Sequence, residues 1–171
     1  IGEAARAQPP VSWKTVVEPL DEVTDRLARA WGAVAHMNAV VDTPELRAQY
    51  NANQPRITAF WTELSQNEAL HARFKELAAL DDFAHWPAAR RRLIENELRD
   101  FRLGGAELAA EQKQRFRAIR ERQSEISTRF AENVLDATNA FALYVTDPAE
   151  LAGVPDDALQ MLRESAGAEG R

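Results

Sequence analysis

Cysteine is absent from these 171 residues, so disulfide bonds, thiolate metal ligands and cysteine nucleophiles are excluded. The absence suits a reducing compartment, and we expect a cytoplasmic protein. No uncharged apolar run approaches the roughly 20 residues that a membrane-spanning helix needs. No secretory signal is visible, but the chain begins at Ile1 rather than Met. We therefore expect that a preceding segment has been removed.

Histidine is scarce, with only His36, His71 and His85. No two are four residues apart, so the His-Glu-x-x-His zinc motif is missing. We expect His36 to be partly buried, and His71 and His85 to lie at the surface or in a turn. No serine occupies a nucleophile elbow, and Gly104-Gly105 follows a helix instead of opening one around a phosphate. The sequence thus predicts no catalytic, cofactor-binding or metal-binding residue.

Two groups of charged residues invite functional hypotheses that the sequence does not favour. The net charge of -6 argues against a nucleic acid or an anionic membrane as partner. The run 90–92 consists of three arginines, but the acidic residues Glu95, Glu97 and Asp100 balance it, and a solvated helix face is the preferred interpretation. A di-metal site would need Glu-x-x-His pairs. The longest predicted helix has no histidine, although it carries four candidate carboxylates: Glu111, Glu121, Glu125 and Glu132.

Apolar residues recur in steps of three and four, and no useful stretch alternates as a strand does. The periodicity predicts helices over about 19–41, 44–64, 67–80, 87–103 and 108–144, with a short last helix from Asp156 or Asp157. Because short turns join them, the predicted fold is all-α. We expect an antiparallel helical bundle built around the long helix 108–144, with no sheet. The core is predicted to include Trp31, Phe60, Trp61 and Phe130.

Local signals mark where these helices begin and end. Thr43 and Asn67 are suited to accept hydrogen bonds at helix N-termini, and Pro44 fits the first helical turn. Pro55 is expected to kink the second helix because proline removes a backbone donor. Gly104-Gly105 is expected to end the fourth, since glycine tolerates the left-handed backbone conformation.

We expect three segments in the chain. Residues 1–17 are interpreted as a remnant helix and linker, 18–166 as a helical domain, and 167–171 as a tail. Read from its residues alone, the chain is a helical scaffold without an active site. An interaction module and a part of a larger protein remain equally open.

Several stretches, taken together and in order, resemble a known family. The similarity is to the N-terminal region of that family. It begins with Trp31, His36 and Asn38 and continues through a series of short segments. These are Thr43-Pro44-Glu45-Leu46-Arg47, Trp61-Thr62-Glu63-Leu64, Arg99-Asp100-Phe101-Arg102-Leu103-Gly104-Gly105, Phe130-Ala131-Glu132-Asn133-Val134-Leu135-Asp136-Ala137 and Leu151-Ala152-Gly153-Val154-Pro155. Over about 12–164 the chain thus resembles the thimet-oligopeptidase family of zinc metallopeptidases.

The resemblance implies a fold and a role. Members of the family are almost wholly helical, and their N-terminal helices form one wall of a deep channel. Their zinc site lies much further along the chain, in a His-Glu-x-x-His helix, where a zinc-bound water attacks the peptide carbonyl. None of those residues occurs here. The family also implies that this sequence begins after the first helix has started and stops before the catalytic part.

The resulting hypothesis is a channel-wall and substrate-gating domain of a zinc-dependent oligopeptidase that hydrolyses short peptides. This segment is expected to be inactive and to bind no zinc, with the catalytic part of the same polypeptide as its partner. The alternative is an autonomous helical adaptor, and nucleic-acid binding through 90–92 is a third hypothesis. We expect exposed apolar surface and weak self-association, because a wall domain without its partner leaves a face uncovered.

Overall fold

The computed structural model describes residues 10–168, and within that range the regular elements are all helical. The all-α fold class predicted from the sequence is therefore confirmed. Three short turns accompany the main helices: a π-helical turn at Trp13–Val17 and 3₁₀ turns at Phe83–His85 and Pro148–Leu151. The main helices are α1 (Glu18–Val40), α2 (Pro44–Ser65), α3 (Glu68–Ala78), α4 (Ala88–Gly104), α5 (Ala110–Ala140) and α6 (Asp156–Ala168).

The helix termini form as the local signals predict. The Thr43 side chain accepts a hydrogen bond from the Leu46 backbone N–H at the start of α2, and Pro44 is its first residue. The Asn67 side chain does the same for the start of α3. Gly105 ends α4 with a φ of 94°, in the left-handed region that favours glycine.

The described residues divide into two compact units, with the boundary between Thr128 and Arg129, inside α5. The hydrophobic core lies in the first unit, where α3 packs against α4 and against the π-helical turn. Helix α3 turns one face inward because its apolar residues are spaced by four and three. The fully enclosed side chains are Val16, Leu70, Phe74, Leu77 and Ile94.

The predicted long helix is present as α5, but its apolar residues are less buried than the sequence indicated. No side chain of α5 is buried, and the helix ends at Ala140 rather than near 144. Its periodic apolar residues were interpreted as core, but periodicity predicts only that they share a face. What covers that face depends on the rest of the molecule.

Polar side chains attach the first half of α5 to α2. The Gln66 side chain, 5% exposed, donates to the Lys113 carbonyl at 3.4 Å and accepts from Arg117 Nε at 2.9 Å. Further along, the Ser124 hydroxyl donates to Gln54 Oε1 at 2.7 Å. This side of α5 is therefore held by hydrogen bonds, which require defined partners, rather than by apolar packing.

The predicted linker contains core residues. Of the segment 1–17, the structure describes 10–17, and the predicted remnant helix lies outside the described residues. Ser12 caps the π-helical turn by accepting a hydrogen bond from the Thr15 backbone N–H. Val16 and Val17 then enter the core beside α3. The structural unit therefore includes this turn.

Two of the four predicted core aromatics are exposed. Phe130 on α5 is 69% exposed and Trp61 on α2 is 38% exposed. Trp31 and Phe60 are partly buried, and the Trp31 ring stacks on Tyr50 with centroids 4.9 Å apart. Aromatic residues at helical spacing therefore do not all belong to one core.

The histidine environments are also corrected. His36, expected to be partly buried, is exposed, and His85 lies exposed in its 3₁₀ turn as expected. His71 was expected at the surface or in a turn, but it is 5% exposed and stacks on the Phe101 ring at 5.4 Å. The reason is its position three residues before Phe74, on the inward face of α3.

Gly104 brings the end of α4 close to α2. A Cβ at this position would lie 2.4 Å from the Ser65 Cβ and 3.2 Å from the Ser65 carbonyl oxygen. By contrast, a Cβ at Gly32, within α1, would meet no atom within 4 Å.

These two glycines make a matched pair for measuring that approach. We expect Gly104→Ala to lower the free energy of unfolding by about 1–3 kcal/mol, because helix α4 must shift away from Ser65. Gly32→Ala should raise it by about 0.5–1 kcal/mol, because alanine loses less entropy in a helix. Urea unfolding of both variants measures the difference, and equal shifts would contradict the close approach.

A second prediction concerns pH. Burial lowers the pKa of His71 below its ordinary value of 6.5; nearby Lys75 lowers it further, while Glu107 opposes the change. The folded state therefore favours neutral His71, and its contribution to stability is present above about pH 6.5 and is lost as the pH falls through the lowered pKa. Thermal unfolding between about pH 7.5 and 5 should show a shallower decline in His71→Leu. His85→Gln, changed at an exposed histidine, should keep the wild-type decline; an unchanged slope in His71→Leu would refute this assignment.

Candidate functional site

The described part of the chain offers no metal centre. Across residues 10–168, no three histidine, aspartate or glutamate side chains are grouped so that they could hold a metal ion. Three of the carboxylates considered from the sequence, Glu111, Glu121 and Glu125, project from the exposed face of α5, and Glu125 pairs with Arg122 at 2.6 Å. The residues present therefore do not fit a zinc ion, and no zinc-dependent step can be assigned to them. None of the described helices is long and apolar enough to cross a membrane.

The arginine run 90–92 makes contacts within the chain. The Arg90 guanidinium lies 4.6 Å from the centroid of the Trp13 ring, a cation–π contact. Arg91 donates to the Trp86 carbonyl at 3.1 Å, and Arg92 pairs with a carboxylate one helical turn further on. Arg91 thus helps to fix the turn that precedes α4, and Arg90 links α4 to the π-helical turn.

An exposed apolar face runs along α5. Its residues are separated by seven, four and four positions, which places them on one side of a helix with 3.6 residues per turn. We call this face the α5 seam, and it consists of Ile119, Ile126, Phe130 and Val134, each between 49% and 69% exposed. A sequence of large apolar residues along one helix face is typical of a surface that another polypeptide covers.

The charges on α5 are unevenly distributed along the helix. Its first half is rich in basic residues, including Arg115, Arg120 and Arg122, whereas Glu132 and Asp136 follow Phe130 in the second half.

A separate cavity of about 330 Å³ opens in the first unit beside the core. Its floor is apolar and includes Leu20, Phe74 and Leu93, and Trp61 forms part of its wall. Carboxylates of α1 and α4 border the same space: Asp21, Asp25 and Glu97. The volume is at the lower end of the range for small-ligand pockets, at a size that suits one side chain.

Of these three carboxylates, Glu97 is partly buried, whereas Asp21 and Asp25 are exposed. Burial raises the pKa of the Glu97 carboxyl, and the neighbouring Asp100 and Asp21 raise it further. Within the described chain no hydrogen bond or ion pair neutralises Glu97, whereas Asp25 pairs with Arg29, whose side chain is 75% exposed. The cavity therefore holds excess negative charge over an apolar floor.

The sequence did not identify this cavity. Asp21 and Asp25 are four residues apart on α1, which indicates a shared face but not a pocket. Glu97 was interpreted only as a counter-charge to the arginine run. The cavity arises where α1 and α4 meet over Phe74, and only tertiary packing brings those residues together.

The described residues thus form helices throughout, with an exposed apolar face on α5. Sequence comparison assigns the chain to a family: residues 5–113 match the profile described as "Neurolysin/Thimet oligopeptidase, N-terminal domain". The chain belongs to that family, as the resemblance seen in its sequence implied.

Individual relatives of the chain support the same family. The chain is 39% identical over 168 residues to oligopeptidase A of Haemophilus influenzae, covering 98% of this chain and 25% of that protein. It is 38% identical to oligopeptidase A of Escherichia coli, covering 94% and 24%. For the probable cytosolic oligopeptidase A of Arabidopsis thaliana the identity is 36%, covering 93% and 23%. The chain thus spans about a quarter of the length of these relatives.

The α5 seam predicts weak self-association of the chain. Four exposed side chains bury less than the roughly 1,200 Å² typical of a stable interface, so we expect a dissociation constant on the order of 100 μM. Sedimentation equilibrium should detect it, and Phe130→Glu should abolish it. Gln114→Glu, a similar charge change on the opposite side of α5, should leave it intact. A strict monomer at millimolar concentration would contradict the prediction.

Proposed function

We propose that this chain is the N-terminal channel-wall region of a zinc-dependent oligopeptidase that hydrolyses short peptides. Its membership in the neurolysin/thimet oligopeptidase family supports the proposal, as do relatives named oligopeptidase A. The observation that carries it furthest is the uncovered α5 seam, because it provides a surface on which further polypeptide can pack. The proposed partner is the catalytic part of the same enzyme.

The bond-breaking chemistry is proposed to come from that partner. A zinc ion held by the catalytic part would supply the Lewis acid and the activated water that peptide hydrolysis needs. No group of described residues in this chain can hold the ion, so its proposed contribution is shape and contact with substrate. A wall of packed helices limits access because a narrow channel admits short flexible peptides and excludes folded proteins.

The proposed setting is the cytoplasm. The absence of cysteine is compatible with a reducing compartment, and one relative is named as a probable cytosolic enzyme. Neither a nucleic acid nor a membrane is proposed as partner: the net charge is -6, and Arg90 and Arg91 are engaged within the chain. Short peptides are the proposed ligands of the complete enzyme.

The same α5 seam also suits the alternative, an autonomous adaptor that uses it to bind an unrelated protein. The two hypotheses differ in what must cover the seam. The wall hypothesis requires the catalytic part of an oligopeptidase, whereas the adaptor hypothesis requires a protein without peptidase activity.

Reconstitution tests the choice directly. We expect this chain, added to Escherichia coli oligopeptidase A shortened by its matching N-terminal quarter, to increase chelator-sensitive hydrolysis of a short fluorogenic peptide by at least about tenfold, because the completed channel orients substrate. The chain alone should release no product. Phe130→Glu should remove most of the increase, because a charge would be buried without a partner at the interface.

The matched control is Gln114→Glu, which adds the same charge on the opposite side of α5 and should reconstitute as well as the wild type. Reconstitution that is insensitive to Phe130→Glu would exclude the α5 seam as the interface. Chelator-sensitive hydrolysis by the chain alone would overturn the proposed division between wall and catalytic part.

A further inference from the structure

We propose that the cavity between α1 and α4 binds the side chain of an arginine in a peptide. The inference rests on the proposed function in one respect, namely that peptides are the ligands. It adds a chemical preference to a wall whose proposed selection is otherwise by size. The residues that carry it are Asp21, Asp25 and Glu97 at the border and Phe74 at the floor.

The charge around the cavity is unbalanced. Glu97 lies partly buried and faces Asp21 from across the cavity, while Asp100 adds further negative charge from its own helix. A partly buried carboxylate loses hydration, and neighbouring acidic groups repel it. A cation entering the cavity would offset both costs, and Glu97 has no such partner among residues 10–168.

A bare metal ion does not suit the cavity. The three carboxylates do not form a group that could hold one. A guanidinium is different, because its five N–H donors are spread over a planar fork and can reach acceptors that do not converge on one point. An ammonium group is more compact and more strongly hydrated, so it suits this dispersed arrangement less well.

The apolar floor of the cavity suits an alkyl chain. An arginine carries three methylene groups between its backbone and its charged head, and such stems pack on apolar surfaces while the head reaches polar groups. Leu20, Phe74 and Leu93 offer a surface for the stem, and Trp61 borders the cavity and is 38% exposed. The cavity of about 330 Å³ is of a size that suits one long side chain rather than a folded partner.

One carboxylate at the cavity border, Asp25, already pairs with a cation of the chain. Arg29 pairs with Asp25, but its side chain is 75% exposed and Asp25 is itself 46% exposed. That pair therefore lies at the solvent side, and an exposed ion pair of this kind is easily exchanged. Asp21 and Glu97 remain to receive the incoming guanidinium.

The test uses the 171-residue chain and two capped hexapeptides that differ at one position, arginine in one and citrulline in the other. Citrulline keeps the length and shape of arginine but has no charge. Titration followed by ¹⁵N NMR should show the arginine peptide binding at least about tenfold more tightly, with the largest shifts at the Trp61 indole N–H and the Glu97 amide. Glu97→Gln should remove most of that preference.

Glu95→Gln is the matched control, because Glu95 lies exposed on the same helix and pairs with Arg92. It should leave the preference for arginine unchanged. Equal binding of the two peptides, or an undiminished preference in Glu97→Gln, would overturn the inference. The reconstitution experiment above uses an interface on α5, so its failure leaves this binding measurement unaffected, and the two proposals can fail separately.

Discussion

The burial of one face of α3 is the interaction on which the first unit depends. Leu70, Phe74 and Leu77 reach the core together because α3 begins at the Asn67 cap and keeps them one turn apart. They lie beneath α4 and the π-helical turn, which sets where α1 begins. Phe74 is also part of the cavity floor. The same side chain thus supports both the fold and the surface proposed to bind a ligand.

Helix α5 is attached by a different kind of contact, and this explains its exposed face. Gln66 and Ser124 fix its first half to α2 through hydrogen bonds, which hold a defined register without using the apolar residues of α5. Polar contacts of this kind contribute about 1 kcal/mol each, less than a large buried side chain does. The α5 seam is consequently left exposed, and in the proposed function it is the surface that the catalytic part would cover.

Much of the fold could be predicted from local information. Thr43, Asn67 and Gly105 mark helix ends through contacts with their immediate neighbours, so the sequence is sufficient to locate them. The centre of the bundle could not be found in this way. Phe130 and Phe74 have similar helical spacing, yet one is 69% exposed and the other 1%. Periodicity identifies a face, while burial depends on which distant segment packs against it.

The candidate sites, too, could be predicted only in part from the sequence. The absence of a zinc motif followed directly from the spacing of three histidines, and family membership followed from ordered short segments. Glu97 was missed because no local pattern distinguishes it from Glu95, two residues away on the same helix. Their environments diverge only when α1 places Asp21 against one of them.

The direction in which the pKa of Glu97 changes bears on its function. Because burial and neighbouring acids raise the pKa of Glu97 in the folded state, its contribution to stability diminishes as the pH rises above the ordinary value of 4.5. A neutral residue in its place would avoid this cost, so folding alone gives no reason for a carboxylate there. A residue that opposes folding in this way is expected where a surface serves binding rather than stability. The α5 seam is the converse case, because it leaves apolar groups in water. In both proposals, a group from another molecule or segment would complete the surface.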